Sequence, residues 1–129
     1  MRLFIFFLLI SSLTFSQNYI EDSYNRGQIL YNDFCVRCHL SDGAGEAGLI
    51  PPLASADFLQ DIQATVHSIK YGLHGPIIVN GVKYNNTMAP MGLENDEIAD
   101  ITNYILNSWG NTTDMIITEE YVKGIKEKK

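Results

Sequence analysis

Cys35-Val36-Arg37-Cys38-His39 holds both cysteines of the chain, with a histidine directly after the second. Cysteines at this spacing have three ordinary uses besides the one argued below. A disulfide here would close a tiny loop and stabilise little. A thioredoxin-like redox pair sits in a βαβ setting, and the flanking sequence offers none. A zinc site needs two further Cys or His ligands at metal spacing, which His67 and His74 do not supply. His39 decides the matter, because Cys-x-x-Cys-His is the attachment pattern for haem c. Two thiols add across the two vinyl groups of one haem edge, and a turn of helix separates them suitably. His39 then stands as the fifth ligand of the iron.

A haem of this kind takes a second axial ligand, and Met opposite His raises the reduction potential. Met88, Met91 and Met115 are candidates, as are His67 and His74. Met88 and Met91 share the Pro- and Gly-bearing stretch Asn85–Gly92, which has loop chemistry. Met is also a common filler of core gaps, so position alone leaves the choice open.

Outward from the motif, Tyr24–Val36 reads as a helix, with Gly27, Tyr31 and Cys35 on one face. Asp57–Tyr71 reads as a middle helix capped by Ser55 or Ala56-Asp57, with Phe58, Ile62, Val66 and Ile69 on its apolar side. Ile77–Tyr84 reads as a hairpin turned at Asn80-Gly81. Asp96–Trp109 reads as a helix capped by Asn95 and stopped by Gly110. Its Ile98, Ile101, Ile105 and Trp109 make an apolar stripe. Thr118–Lys128 reads as a short extra helix capped by Thr118, packing Ile117, Tyr121 and Ile125 on the body. Ser41–Gly48 is Gly-rich but lacks the strand, helix and Lys-Ser/Thr ending of a phosphate loop.

The two ends differ from the body. Arg2 precedes the apolar run Leu3–Ile10, and Thr14 and Ser16 fit a cleavage site before Gln17. Residues 1–16 therefore read as a secretory signal peptide. The run falls short of the ~20 residues that span a bilayer, so no permanent membrane anchor is expected after cleavage. The domains expected are 1–16 signal peptide, 17–115 haem domain and 116–129 C-terminal helical extension. Without Arg2, eight basic residues face fifteen acidic ones, and four of the eight lie in the last seven positions. That excludes the basic footprint of a nucleic-acid binder and suits a redox partner with a basic docking face.

The order of blocks along the chain resembles that of class I, mitochondrial-type, bacterial monohaem cytochromes c. The resemblance spans about Tyr24–Gly110. It rests on Gly27-x-x-x-Tyr31, Cys35-Val36-Arg37-Cys38-His39, Gly43-x-Gly45, Pro51-Pro52-Leu53-Ala54-Ser55, Val79-Asn80-Gly81, Met88-Ala89-Pro90 and Asp96–Trp109. It implies an all-α cytochrome c fold, with three to five helices wrapped around one haem c bound through Cys35 and Cys38. It implies that the first and last of these helices cross at Gly27; Tyr104, beside the apolar stripe, is the residue expected to pack near it. It implies His39 and Met88 as iron ligands, although Ala89 stands where Pro is usual and Met91 where a bulky aromatic is common. It implies that the Pro51 carbonyl accepts the Nδ1 hydrogen of His39. Tyr84 and Trp109 are the other residues expected to touch the haem or its propionates. The function implied is periplasmic one-electron transfer by a carrier that is not an enzyme. Its partners would be an oxidase, a reductase or a dehydrogenase, met through a face around Val36, Arg37, Gly43, Ala44 and Met91. Two alternatives are a haem relay within a larger respiratory or dehydrogenase complex, and a haem enzyme or sensor with a labile sixth ligand.

Overall fold

The computed structural model describes residues 18–128 in full. Of the expected signal peptide, residues 1–16, Met1 lies outside the described residues, and only the backbone of the rest is described, within the first helix. Five helices and one hairpin are described: α1 (Arg2–Phe34), α2 (Val36–His39), α3 (Ile62–Tyr71), β1 (Ile77–Val79), β2 (Val82–Tyr84), α4 (Asn95–Ile105) and α5 (Glu119–Gly124). A 3₁₀ turn, Asp57–Gln60, precedes α3. The fold is thus the all-α architecture that the resemblance implies. No described helix is long and apolar enough to cross a membrane.

α1 and α4 make the central contact, and Gly27 makes it possible. A Cβ at residue 27 would lie 2.1 Å from the Asp100 carbonyl oxygen and 2.8 Å from the Tyr104 Cβ. Only a residue without a side chain lets the two backbones approach so closely. Tyr104 then packs its ring between Tyr24 and Tyr31, at centroid distances of 5.0 and 5.4 Å.

Every residue of α4 from Ile98 to Ile105 is buried, not only the expected stripe. Asp100, Asn103 and Thr102 are inside because α1 and the C-terminal segment cover α4 on its polar sides as well. The polar atoms are matched there. Ser23 donates to Asp100 (2.7 Å), the Arg26 guanidinium donates twice to Asp100, and Asn103 donates to Ser23 (2.9 Å). Among the described residues no buried side-chain nitrogen or oxygen lacks a partner.

Several expected boundaries shift, the first helix among them: expected over Tyr24–Val36, it runs Arg2–Phe34, and Cys35 begins the next helix instead. The middle helix breaks at Asp61, whose carboxylate caps α3 by accepting from Ala64 N–H (2.9 Å). Asp57 is instead engaged with the hairpin turn, accepting from Asn80 N–H (2.7 Å). α4 starts at Asn95, so Asn95 is helical rather than the cap. The Glu97 carboxylate accepts from Glu94 N–H (2.9 Å) and closes the start one residue earlier. α4 also ends at Ile105, four residues short: the Asn107 and Ser108 N–H groups turn to carbonyls three residues back, and Trp109 then takes a left-handed backbone (φ 51°). Thr118 caps α5 as expected, but the helix ends at Gly124 and the chain runs on extended from Ile125. The hairpin forms as expected, with Ile77 opposite Tyr84 and positive φ at Asn80 and Gly81.

Gly27→Ala is expected to destabilise the protein by about 1–3 kcal/mol through overpacking at the crossing. Gln28→Ala, one residue on and exposed, is expected to change stability by less than about 0.5 kcal/mol. Guanidinium unfolding of both variants checks this.

Candidate functional site

α1 ends with Cys35 pointing inward, and α2 follows at once to turn His39 inward as well. Both are 8% exposed, whereas Cys38 is exposed. Burial, with Cys38 close by, pushes the Cys35 thiol up to about 12. A thiol held protonated in this way is not a redox-active thiolate.

His39 is fixed by its neighbours. Its Nδ1 lies 3.1 Å from the Pro51 carbonyl oxygen, so Nδ1–H donates there and Nε2 keeps its lone pair. Burial holds the imidazole below its ordinary value, with the Pro51 carbonyl acting the other way. A neutral ring with a free Nε2 is the form that ligates a metal. The loop carrying Pro51 is held by Gly45, where an added Cβ would lie 2.5 Å from the Ile50 carbonyl oxygen.

His39 faces an apolar cleft with two lobes. One lobe, with about 600 Å³ of empty space including its mouth, is lined by Cys35, Leu53, Phe58, Ile69, Val79 and Ile105 among others. The second, about 490 Å³ on the same measure, is lined by Cys38, Leu49, Ile50, Tyr84, Asn86 and Thr87. His39, Pro51, Leu73, Ile77 and Met88 line both. A flat ring system fits this arrangement: apolar walls, a sulfur in each lobe, and His39 with Met88 where the lobes join.

Met88 reaches the cleft through backbone bonds. Leu73 N–H donates to the Met88 carbonyl (2.8 Å), and Met88 N–H donates to the Leu73 carbonyl (2.9 Å). Gly72 (φ 82°) permits the approach, since a Cβ there would lie 2.6 Å from the Met88 carbonyl oxygen. Met91 lines neither lobe.

The remaining expected residues divide. Tyr84 is 6% exposed and lines the second lobe. Trp109 lines neither lobe; it donates from Nε1 to the Ser41 carbonyl (3.1 Å) and packs on Tyr31 at 4.9 Å. Its indole covers Gly43, which is buried, so Gly43 cannot belong to an outer docking face. Val36 is half-buried, Arg37 and Ala44 are exposed, and Met91 is half-buried. His74 is exposed. His67 is half-buried, not a free surface residue, because it packs on Tyr71 and accepts from Lys128 N–H.

Sequence reasoning missed one support of the site. Tyr31 donates its phenol to the Leu40 carbonyl (2.6 Å) and so ties down the residue after His39. Leu40 has φ 64°, a conformation that costs a branched residue energy and needs such an anchor. The signal was present as the Tyr31–Cys35 helical spacing, but a buried Tyr reads first as packing.

Residues 24–109 match the family model for cytochrome c. Cytochrome c-552 of Thermus thermophilus is 36% identical over 105 residues, covering 74% of this chain and 80% of the relative. The gluconate 2-dehydrogenase cytochrome c subunit of Pantoea cypripedii is 29% identical over 111 residues, which cover 82% of this chain but 25% of that subunit. The cytochrome c subunit of alcohol dehydrogenase (quinone) from Gluconacetobacter polyoxogenes is 29% identical over 105 residues, covering 78% of this chain and 22% of the subunit.

Burial, chiefly, raises the Tyr31 phenol above its ordinary value of 10, with Cys35, Tyr104 and Asp42 adding to it. The unfolded chain releases this proton near pH 10, while the folded chain keeps it to higher pH. The stability it contributes is therefore complete below pH 10 and is lost as pH rises further. Tyr31→Phe is expected to cost about 1 kcal/mol at neutral pH and to flatten the alkaline fall, as read from unfolding midpoints at neutral and strongly alkaline pH.

Proposed function

We propose that this chain, which belongs to the cytochrome c family, carries single electrons in the periplasm on one haem c held between His39 and Met88. The cofactor is haem c, bound covalently through Cys35 and Cys38. When bound, it supplies a one-electron iron couple. The chain's own residues do the rest. His39 offers Nε2 while Pro51 holds its Nδ1–H. Met88 offers its thioether from the opposite segment, held by Leu73. Leu53, Phe58, Ile69, Val79 and Ile105 exclude water from one side of the ring. Tyr84 closes the other lobe.

The observation that carries this reading is that His39 and Met88 alone among the candidate ligands line both lobes of the cleft. With His39 and Met88 both holding the iron, no position there would be left for a substrate, which favours a carrier over an enzyme. The acidic body, with four basic against twelve acidic residues over 17–115, favours a partner with a basic face. An oxidase, a reductase or a dehydrogenase would serve as that partner. Residues 1–16 supply the route to the periplasm.

A second reading draws on one finding. Similarity to cytochrome c subunits of two dehydrogenases favours a relay bound to such an enzyme. The two readings differ in salt dependence. A free carrier steered by charge is expected to lose rate steeply as ionic strength rises, and a fixed relay is not.

Met88→Ala is expected to abolish the sulfur-to-iron charge-transfer band and lower the reduction potential. Met91→Ala is expected to leave both unchanged. The reverse pattern would remove Met88 from the site. Haem staining on a denaturing gel is expected to persist in the natural protein and to vanish in Cys35→Ala/Cys38→Ala.

A further inference from the structure

The chain continues past the last helix of the haem domain, and the continuation does more than trail. Ile117 and Val122 are fully buried, and Ile125 is 7% exposed. Asn103 of α4 pairs with Ile117 as one peptide pairs with another: Nδ2 donates to the Ile117 carbonyl (2.9 Å) and Oδ1 accepts from Ile117 N–H (2.8 Å). The far end is tied to α3. Lys70 Nζ donates to the carbonyls of Val122 (2.8 Å) and Ile125 (3.2 Å), and the Tyr71 phenol donates to the Ile125 carbonyl (3.0 Å). Lys128 N–H donates to His67 Nε2 (3.3 Å).

Three of these ties fall on a particular turn. Lys70 and Tyr71 are the last two residues of α3. Gly72 follows, and then Leu73, whose backbone pairs with Met88 on both sides. Four consecutive residues thus join the C-terminal segment to the Met88 bridge without an intervening loop. Ser68, Ile69 and Leu73 of the same stretch line the first lobe. A segment that holds only the fold together has no need to grip this turn. Its ties would serve as well anywhere along α3.

We propose that residues 116–128 form a strap that, through Lys70 and Tyr71 as positioning residues, keeps Met88 against the haem iron. This rests on the reading of Met88 as the sixth ligand. The Lys70 ammonium sits at the C-terminal end of α5, where its charge meets the carbonyls of Val122 and Ile125. Freeing the strap lets the Gly72–Leu73 turn swing, opens the Leu73–Met88 bridge, and gives the thioether room to leave. The strap therefore sets how readily an outside ligand displaces Met88.

The test uses the full-length haem-loaded protein and Lys70→Met/Tyr71→Phe, which keeps the apolar bulk and removes three bonds to the strap. The natural protein, brought by denaturant to the same global stability as the variant, is the control. Two readouts apply. One is the rate at which added imidazole displaces the native ligand. The other is amide exchange at Leu73 and Met88. The double variant is expected to take up imidazole at least about tenfold faster, and to exchange both amides at least about tenfold faster, as losing a charge-assisted bond implies. At matched stability, the natural protein is expected to do neither, and Lys70→Arg is expected to restore most of the slowness. Unchanged Leu73 and Met88 amides in the double variant, or equal effects in the control, overturn the strap. A natural protein without the charge-transfer band refutes Met88 as ligand, and the amide readout still judges the strap by itself.

Discussion

A missing side chain organises this molecule. With no Cβ at Gly27, the backbones of α1 and α4 meet at a separation that a Cβ would close to 2.1 Å. Once that crossing is set, α1 must deliver Cys35 eight residues further on the same face. α4 must deliver Ile105 five residues past Asp100. Both then line one lobe of the cleft. The cleft is therefore the space two crossed helices leave on the side where they diverge. The 3₁₀ turn, α3 and the hairpin close that space and supply its remaining apolar wall.

The crossing also explains the polar core. Helices this close bury whatever lies beside the contact, and here that includes Asp100 and Asn103. A buried carboxylate costs several kcal/mol unless it is fully matched. Ser23 and Arg26 match it from α1. Arg26 stays half in water (its side chain is 53% exposed), which softens the cost of the pair. The same hydrogen bonding holds Arg26 above its ordinary value, with Asp100 as the main cause. Asn103 extends the network to the C-terminal segment, so one buried patch ties together the first helix, the last helix of the haem domain and the strap.

Much of this was legible in the sequence, and the part that was not has a common cause. Gly27, the Cys-x-x-Cys-His run and the Ile98-Ile101-Ile105 stripe carry local signals: a spacing, a motif, a period. Each appears in the structure where the sequence puts it. Asn80-Gly81 gave the hairpin in the same way, since a turn type needs those residues. What the sequence hid depends on partners far along the chain. Asp61 caps α3 because Asp57 is drawn to Asn80, twenty-three residues away. Asp100 and Asn103 look like solvent-facing positions until α1 and the strap cover them. Trp109 continues the stripe on paper, yet the chain turns left-handed there and the indole covers Gly43 instead of the cleft. Periodicity reports a helix face correctly but does not say where the helix stops when a side chain such as Ser108, bonded back to Tyr104, intervenes.

The proposed axial pair shares a design that bears on its role. His39 is oriented by a backbone carbonyl, and Met88 is placed by two backbone bonds to Leu73. Neither takes a direct bond from a charged side chain. Main-chain partners do not titrate and hold one geometry, so the two ligands would keep their places through a change of iron charge. Preorganised partners of this kind cost little reorganisation when charge moves, which is what one-electron exchange requires. Lys70 is a charged support of this frame, and it acts at one remove, through the strap. The rigid ligation and its single adjustable support thus lie on opposite sides of the Gly72–Leu73 turn. That turn is where a local substitution would change ligand lability without dismantling the helix crossing beneath it.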